Sequence, residues 1–79
     1  MNTNPAMPAC EALAADPARY MFKHQLADLV EAPSYDEKFR MVCRMGGYLS
    51  ALLESDVITC EEYRAIRKEV HDFVWGPAQ

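Results

Sequence analysis

No CxxC pair, no glycine-rich loop between a strand and a helix, no surplus of basic charge and no long apolar run occur in these 79 residues. Each absence removes a class of function. The three cysteines, Cys10, Cys43 and Cys60, are an odd number without paired spacing. That argues against a disulfide framework and a zinc knuckle and fits a reducing cytoplasm. Eight Lys and Arg against twelve Asp and Glu leave a formal charge of −4, which repels a phosphate backbone and makes nucleic acid a poor partner. No stretch approaches the ~18 uninterrupted apolar residues of a membrane helix. Met1 to Cys10 carry neither a basic n-region nor an apolar h-region, so no export signal is expected. Gly46 and Gly47 lie inside a helical pattern, which is not the setting of a phosphate loop.

What is present is the composition of one small folded domain, with 51% apolar and 25% charged residues. A chain this short buries only a modest core. Residues 1–8 combine Asn, Thr and two prolines and are expected as a flexible tail ahead of a single helical domain over 9–79. A short extra turn is expected over 9–15. Asp16 followed by Pro17 is a helix start, and Phe22, Leu26, Leu29 and Val30 recur at helical spacing up to Pro33, which predicts a helix over 17–31.

Ser34 to Glu37, S-Y-D-E, is a capping-box pattern that opens a second helix over 35–54. Its main apolar stripe is Tyr35, Phe39, Val42, Met45 or Gly46, Leu49, Leu52 and Leu53, with Met41, Met45, Tyr48 and Leu52 beside it. An arc that wide must be covered on more than one side, so this helix is expected at the centre, with room for another subunit. Thr59 to Glu62, T-C-E-E, is a second capping box. Ile58 and Tyr63 are spaced as a hydrophobic staple, and Tyr63, Ile66, Val70, Phe73 and Val74 form the stripe of a third helix over 60–75, stopped by Gly76 and Pro77. The fold class is therefore all-α: a small three-helix domain with a C-terminal helical hairpin.

The hairpin reads L-S-A-L-L-E-S-D-V-I-T-C-E-E-Y-R-A-I-R-K-E-V from Leu49 to Val70. It resembles the SHOCT-type short helical module: leucines, a small-residue turn, Ile-Thr, two acids and an aromatic. It departs at Asp56, where glycine is more usual. The resemblance implies a module for oligomerisation or docking and carries over no catalytic residue.

The chemistry-bearing side chains are His24, His71, the cysteines and scattered carboxylates, and they form no recognisable catalytic motif. Cys43, beside the apolar stripe, is expected to serve packing. Cys60, in the first turn of the third helix, is the better reactive-thiol candidate, and His71 reads as a surface histidine on a charged edge. Cys43, Cys60, His24 and His71 are the set from which a zinc site would have to be built. The reading assigns no enzyme activity, no cofactor and no metal.

Contact surfaces are the better prospect. Two glycines inside a helix cost on the order of 1 kcal/mol each, so Gly46 and Gly47, with Cys43, Ser50 and Ala51, are expected to form a small-residue face for close helix packing. The first helix crossing there within the monomer is the expected use; a homodimer seam is the alternative, with a hinge as the third. Arg40 and Arg44, one turn apart with Lys38 nearby, make the locally basic segment. Tyr20, Tyr48 and Trp75 are the aromatic interface candidates, with Trp75 expected to close the bottom of the core. Function is accordingly expected to be that of a cytoplasmic interaction protein that covers a surface of a larger partner with a basic face. Phage- or plasmid-type inhibitors such as anti-CRISPR proteins, adaptors and antitoxin-like regulators are of this class. A small DNA-binding regulator and a thiol or metal-binding domain are the alternatives.

Overall fold

The computed structural model describes residues 6–76, and all the regular structure in it is helical. Four α-helices follow one another: α1 (Pro8–Ala14), α2 (Tyr20–Glu31), α3 (Tyr35–Glu54) and α4 (Cys60–Trp75), with a 3-10 turn over Pro17–Arg19 leading into α2. Among the described residues no helix is long and apolar enough to cross a membrane.

The helix starts are built from the residues that mark them in the sequence. The Asp16 carboxylate accepts the Ala18 N–H at 2.9 Å, and this first turn winds as a 3-10 helix before α2 begins. The Thr59 hydroxyl accepts from Glu62 N–H at 3.0 Å while the Glu62 carboxylate accepts from Thr59 N–H at 2.8 Å, so both halves of the box form at α4. At α3 only the serine half forms, the Ser34 hydroxyl accepting the Glu37 N–H at 3.2 Å. Lys38 ends the preceding helix by donating to the Ala32 carbonyl at 2.7 Å, placing a cation where the α2 dipole is negative. Between α3 and α4, Asp56 turns the chain at φ 60°, a left-handed conformation that glycine adopts more easily.

The helices pack as a closed ring, each against its two neighbours: α1 on α2, α2 on α3, α3 on α4, and α4 back on α1. The core lies inside the ring. Phe22 and Leu29 from α2, Met45 and Leu49 from α3, Ile66 from α4 and Cys10 from α1 are its most deeply buried side chains.

The fourth member of the ring corrects the expected tail. Met7 is 6% exposed and belongs to the core, and Pro8 already opens α1, so residues 7 and 8 are structural; residues 1–5 lie outside the described residues. A bidentate clamp holds α1 in place. The Glu69 carboxylate, projecting from α4, accepts the Ala9 and Cys10 N–H groups at 2.9 Å each. Those amides are two of the donors that a helix N-terminus leaves free, and a carboxylate there also meets the positive end of the helix dipole.

A second correction concerns α3. Its buried face is Met41, Met45, Leu49 and Leu52, which matches neither expected stripe whole: Leu49 comes from the main one and Met41 from the one beside it. Tyr35 and Phe39, expected as core, are 55% and 47% exposed. The cause is that α1 contributes nothing to α3, which is covered only by α2 and α4 and keeps its remaining arc open.

Candidate protein-docking groove

Antiparallel packing of α3 and α4 across a connection of residues 55–59 decides which side chains meet at the far end of the hairpin. Phe39 and Trp75 each lie fifteen residues from that connection, so they come side by side. Their ring centroids are 6.3 Å apart in an edge-on arrangement, and Tyr35 joins them at 6.4 Å from Phe39 and 6.3 Å from Trp75. The Trp75 indole N–H donates to the Tyr35 hydroxyl at 2.8 Å, and the His71 ring lies 5.0 Å from the indole. Trp75 is 42% exposed, so it does not close the bottom of the core as the sequence suggested; it stands on the surface with its two aromatic partners.

From this cluster an open groove of about 510 Å³ runs between α3 and α4 toward Gly46 and Arg67, with Val42 and Val70 along it. Gly46 shapes the other end. A Cβ at this position would lie 3.8 Å from an Arg67 guanidinium nitrogen, so the guanidinium lies over the bare backbone of α3. Arg67 is steered there by its own helix: it donates to the Tyr63 hydroxyl at 2.8 Å, four residues back, and packs 5.6 Å from that ring. The Tyr63 hydroxyl is also 3.5 Å from the Ser50 hydroxyl, and that contact, then the nearby guanidinium, holds the phenol below its ordinary pKa. Further along α4 the Lys68 ammonium donates to Asp72 at 2.8 Å and holds that carboxyl below the usual carboxylate range.

The remaining sequence candidates distribute as follows. Cys43 and Gly46 line the groove, and Cys43 is exposed, correcting its expected role in packing: it sits on the arc of α3 that no helix covers. Ser50 borders it through Tyr63. Gly47 has nothing within 4 Å of where its Cβ would be, so the expected crossing of a helix over the small-residue face within the monomer does not occur. Ala51 is exposed with it, and α3 continues through both glycines without a break. Tyr48 is half-buried, stacks on Phe22 at 6.3 Å and packs against the core. Arg40 and Arg44 line a separate cleft between α2 and α3 that also holds Asp28, Glu31 and Glu37. Tyr20 is 61% exposed on the first turn of α2 and is not part of the groove lining.

Of the groups weighed for thiol or metal chemistry, Cys43, Cys60, His24 and His71 are all exposed. Among the described residues no three His, Cys, Asp or Glu side chains converge on a common point. The one buried thiol, Cys10, is pushed up to about 12 by burial and then by the adjacent Glu69 carboxylate, and its sulfur lies 3.9 Å from the Ile66 carbonyl.

Phe39, which lines the groove, and Tyr35, which joins it at the mouth, are the residues that sequence reasoning missed as surface groups. The signal was available: equal spacing from a short helical connection pairs Phe39 with Trp75, and a pair at the open end of a hairpin needs a third element to be buried. No protein-family model matches this chain, and neither a curated protein nor a solved structure resembles it significantly.

Proposed function

We propose that the chain is a non-enzymatic protein-interaction module that acts by seating part of a larger partner on the α3/α4 groove. One observation carries the reading: Tyr35, Phe39 and Trp75 form a contiguous aromatic surface, each between 42% and 55% exposed, at the mouth of an apolar groove. Aromatic side chains left this open forgo the burial that would stabilise the fold, and they are the residue types that dominate binding energy when a partner covers them. The mechanism is steric, with the partner's own surface occluded while the module is bound. A cytoplasmic inhibitor of the phage or plasmid kind, anti-CRISPR proteins being one example, or an antitoxin-like adaptor is the class this reading favours. The net charge of −4 steers the module toward a partner whose wider surface is basic.

The test compares the wild type with Phe39→Ala as bait in extracts of its source cells, with circular dichroism confirming equal helicity. A single stoichiometric partner held by the wild type and released by the variant supports the reading. Equal retention by both baits rejects it.

A second copy of the chain is the other reading, favoured by the uncovered Gly47 with Ala51 exposed beside it. Light scattering on the wild type and on Gly47→Leu separates the two. A dimer that becomes a folded monomer in the variant assigns that face to self-association, whereas a wild-type monomer removes the reading.

A further inference from the structure

We infer that the α3/α4 groove accepts an amphipathic helical segment that places apolar side chains against Phe39 and Trp75 and a carboxylate on Arg67. The inference rests on the groove being the docking surface and adds the chemistry of what docks there.

Charge complementarity selects the occupant. The chain has twelve Asp and Glu side chains, yet none lines this groove; the groups there that can carry positive charge are Arg67 and His71. His71 is turned toward the indole and toward Asp72, whose carboxylate is 3.7 Å from the imidazole Nδ1. Arg67 is different. One of its terminal nitrogens is engaged with the Tyr63 hydroxyl, and no carboxylate among the described residues pairs with the guanidinium. A guanidinium offers five donors in a rigid fork, so the Tyr63 contact orients the group and leaves donors free for a bidentate carboxylate. Gly46 beneath it keeps the approach clear, since any side chain there would reach into the groove beside the guanidinium.

The dimensions match a helix. Arg67 and Trp75 are eight residues apart on α4, about 12 Å along the axis, and Gly46 and Phe39 are seven apart on α3, about 10 Å. Two helical turns laid along the groove span that length. An occupant whose first apolar anchor seats at the aromatic end, with a second one turn on, therefore brings the residue two turns on from the first anchor to Arg67, and that residue is Asp or Glu. This is the helix-in-groove mode, with its anchors at i, i+3 or i+4 and i+7 or i+8. Attraction of the whole acidic surface to a basic partner and a local seat for one carboxylate act over different distances and coexist.

The experiment uses the full chain and a phage-displayed library of peptides of about 16 residues, alanine-rich so as to be helical and randomised along one face. The best binder is then synthesised with its acidic residue as Glu and as Gln. The expected result is selection of an apolar pair one turn apart with Asp or Glu two turns on from its first member. Binding is expected to weaken about tenfold for the Gln peptide on the wild type, with no difference between the two peptides on Arg67→Gln. Trp75→Ala and Gly46→Leu, checked for helicity, should each abolish binding.

Peptides without a carboxylate preference, or an equal response of wild type and Arg67→Gln to the Glu and Gln forms, would overturn the inference and leave the docking reading standing. Binding untouched by both Trp75→Ala and Gly46→Leu would remove both. A wild-type dimer converted to monomer by Phe39→Ala would make the occupant a second copy and overturn the inference as well.

Discussion

Gly47 shows how a single residue reports on what surrounds it. It sits mid-helix in α3 with open space where its side chain would be, so it carries the entropic cost of glycine without any packing return inside the monomer. Gly47→Ala is expected to stabilise the fold by about 1 kcal/mol, raising the melting temperature by about 4–8 °C, as read from thermal and urea unfolding. Cys10 is the opposite case, enclosed by the core. Its thiol is pushed up to about 12 by burial and then by Glu69, so the folded state keeps the proton that the unfolded chain releases. Stability is therefore unaffected below about pH 8.5, where both states hold the proton, and falls as pH rises from there toward 12. Cys10→Ala should flatten that part of the stability profile in urea titrations at successive pH values. In native protein at pH 8, thiol reagents should label the exposed Cys43 and Cys60 and leave Cys10 untouched.

At the level of elements, α1 is the piece least able to hold its place by itself. Its seven residues are too few to be helical alone, and it is retained by Met7 and Cys10 in the core and by the two hydrogen bonds that its Ala9 and Cys10 N–H groups donate to Glu69. Hydrogen bonds to a charged acceptor contribute roughly 1.5–3 kcal/mol. Glu69→Gln keeps one acceptor oxygen and loses the charge, so a loss of about 1.5–3 kcal/mol is expected. Hydrogen exchange should localise it, with the Ala9 and Cys10 amides losing protection while the interior amides of α3 and α4 keep most of theirs. A uniform loss across all helices would show that α1 is part of one cooperative unit. The α3/α4 hairpin needs no such clamp, because the full capping box at Thr59 and the turn at Asp56 define it locally.

For the whole molecule, the ring of four helices leaves one of its longer members half covered. α3 gives Met41, Met45, Leu49 and Leu52 to the core and keeps Phe39, Cys43, Gly47 and Ala51 outside. The net charge of −4 acts at this scale too. Binding to duplex DNA at about 50 mM salt is expected to be negligible by fluorescence anisotropy, since an acidic surface releases few counterions. Tight binding with a steep salt dependence would instead favour the regulator reading.

Three of the four helices were written in the sequence, and α1 only as a short turn. Asp16, Ser34 and Thr59 mark starts, Pro33 and Gly76 mark stops, and the helices expected over 35–54 and 60–75 occur as Tyr35–Glu54 and Cys60–Trp75. Caps and breakers act within one turn of chain, so local order suffices to read them. The all-α class follows from the same signals. What periodicity could not tell was which part of a wide apolar arc would find a neighbour. Tyr35 and Phe39 belong to the same helical pattern as Leu49, yet Leu49 is fully buried and the two aromatics are not. Gly47 and Cys43 likewise read as packing residues until the ring left them uncovered. Burial depends on where other helices lie in space, and only the tertiary structure decides that: α1 lies on α2 and α4, tied to α4 through Glu69, and leaves the outer arc of α3 and the groove beside it open.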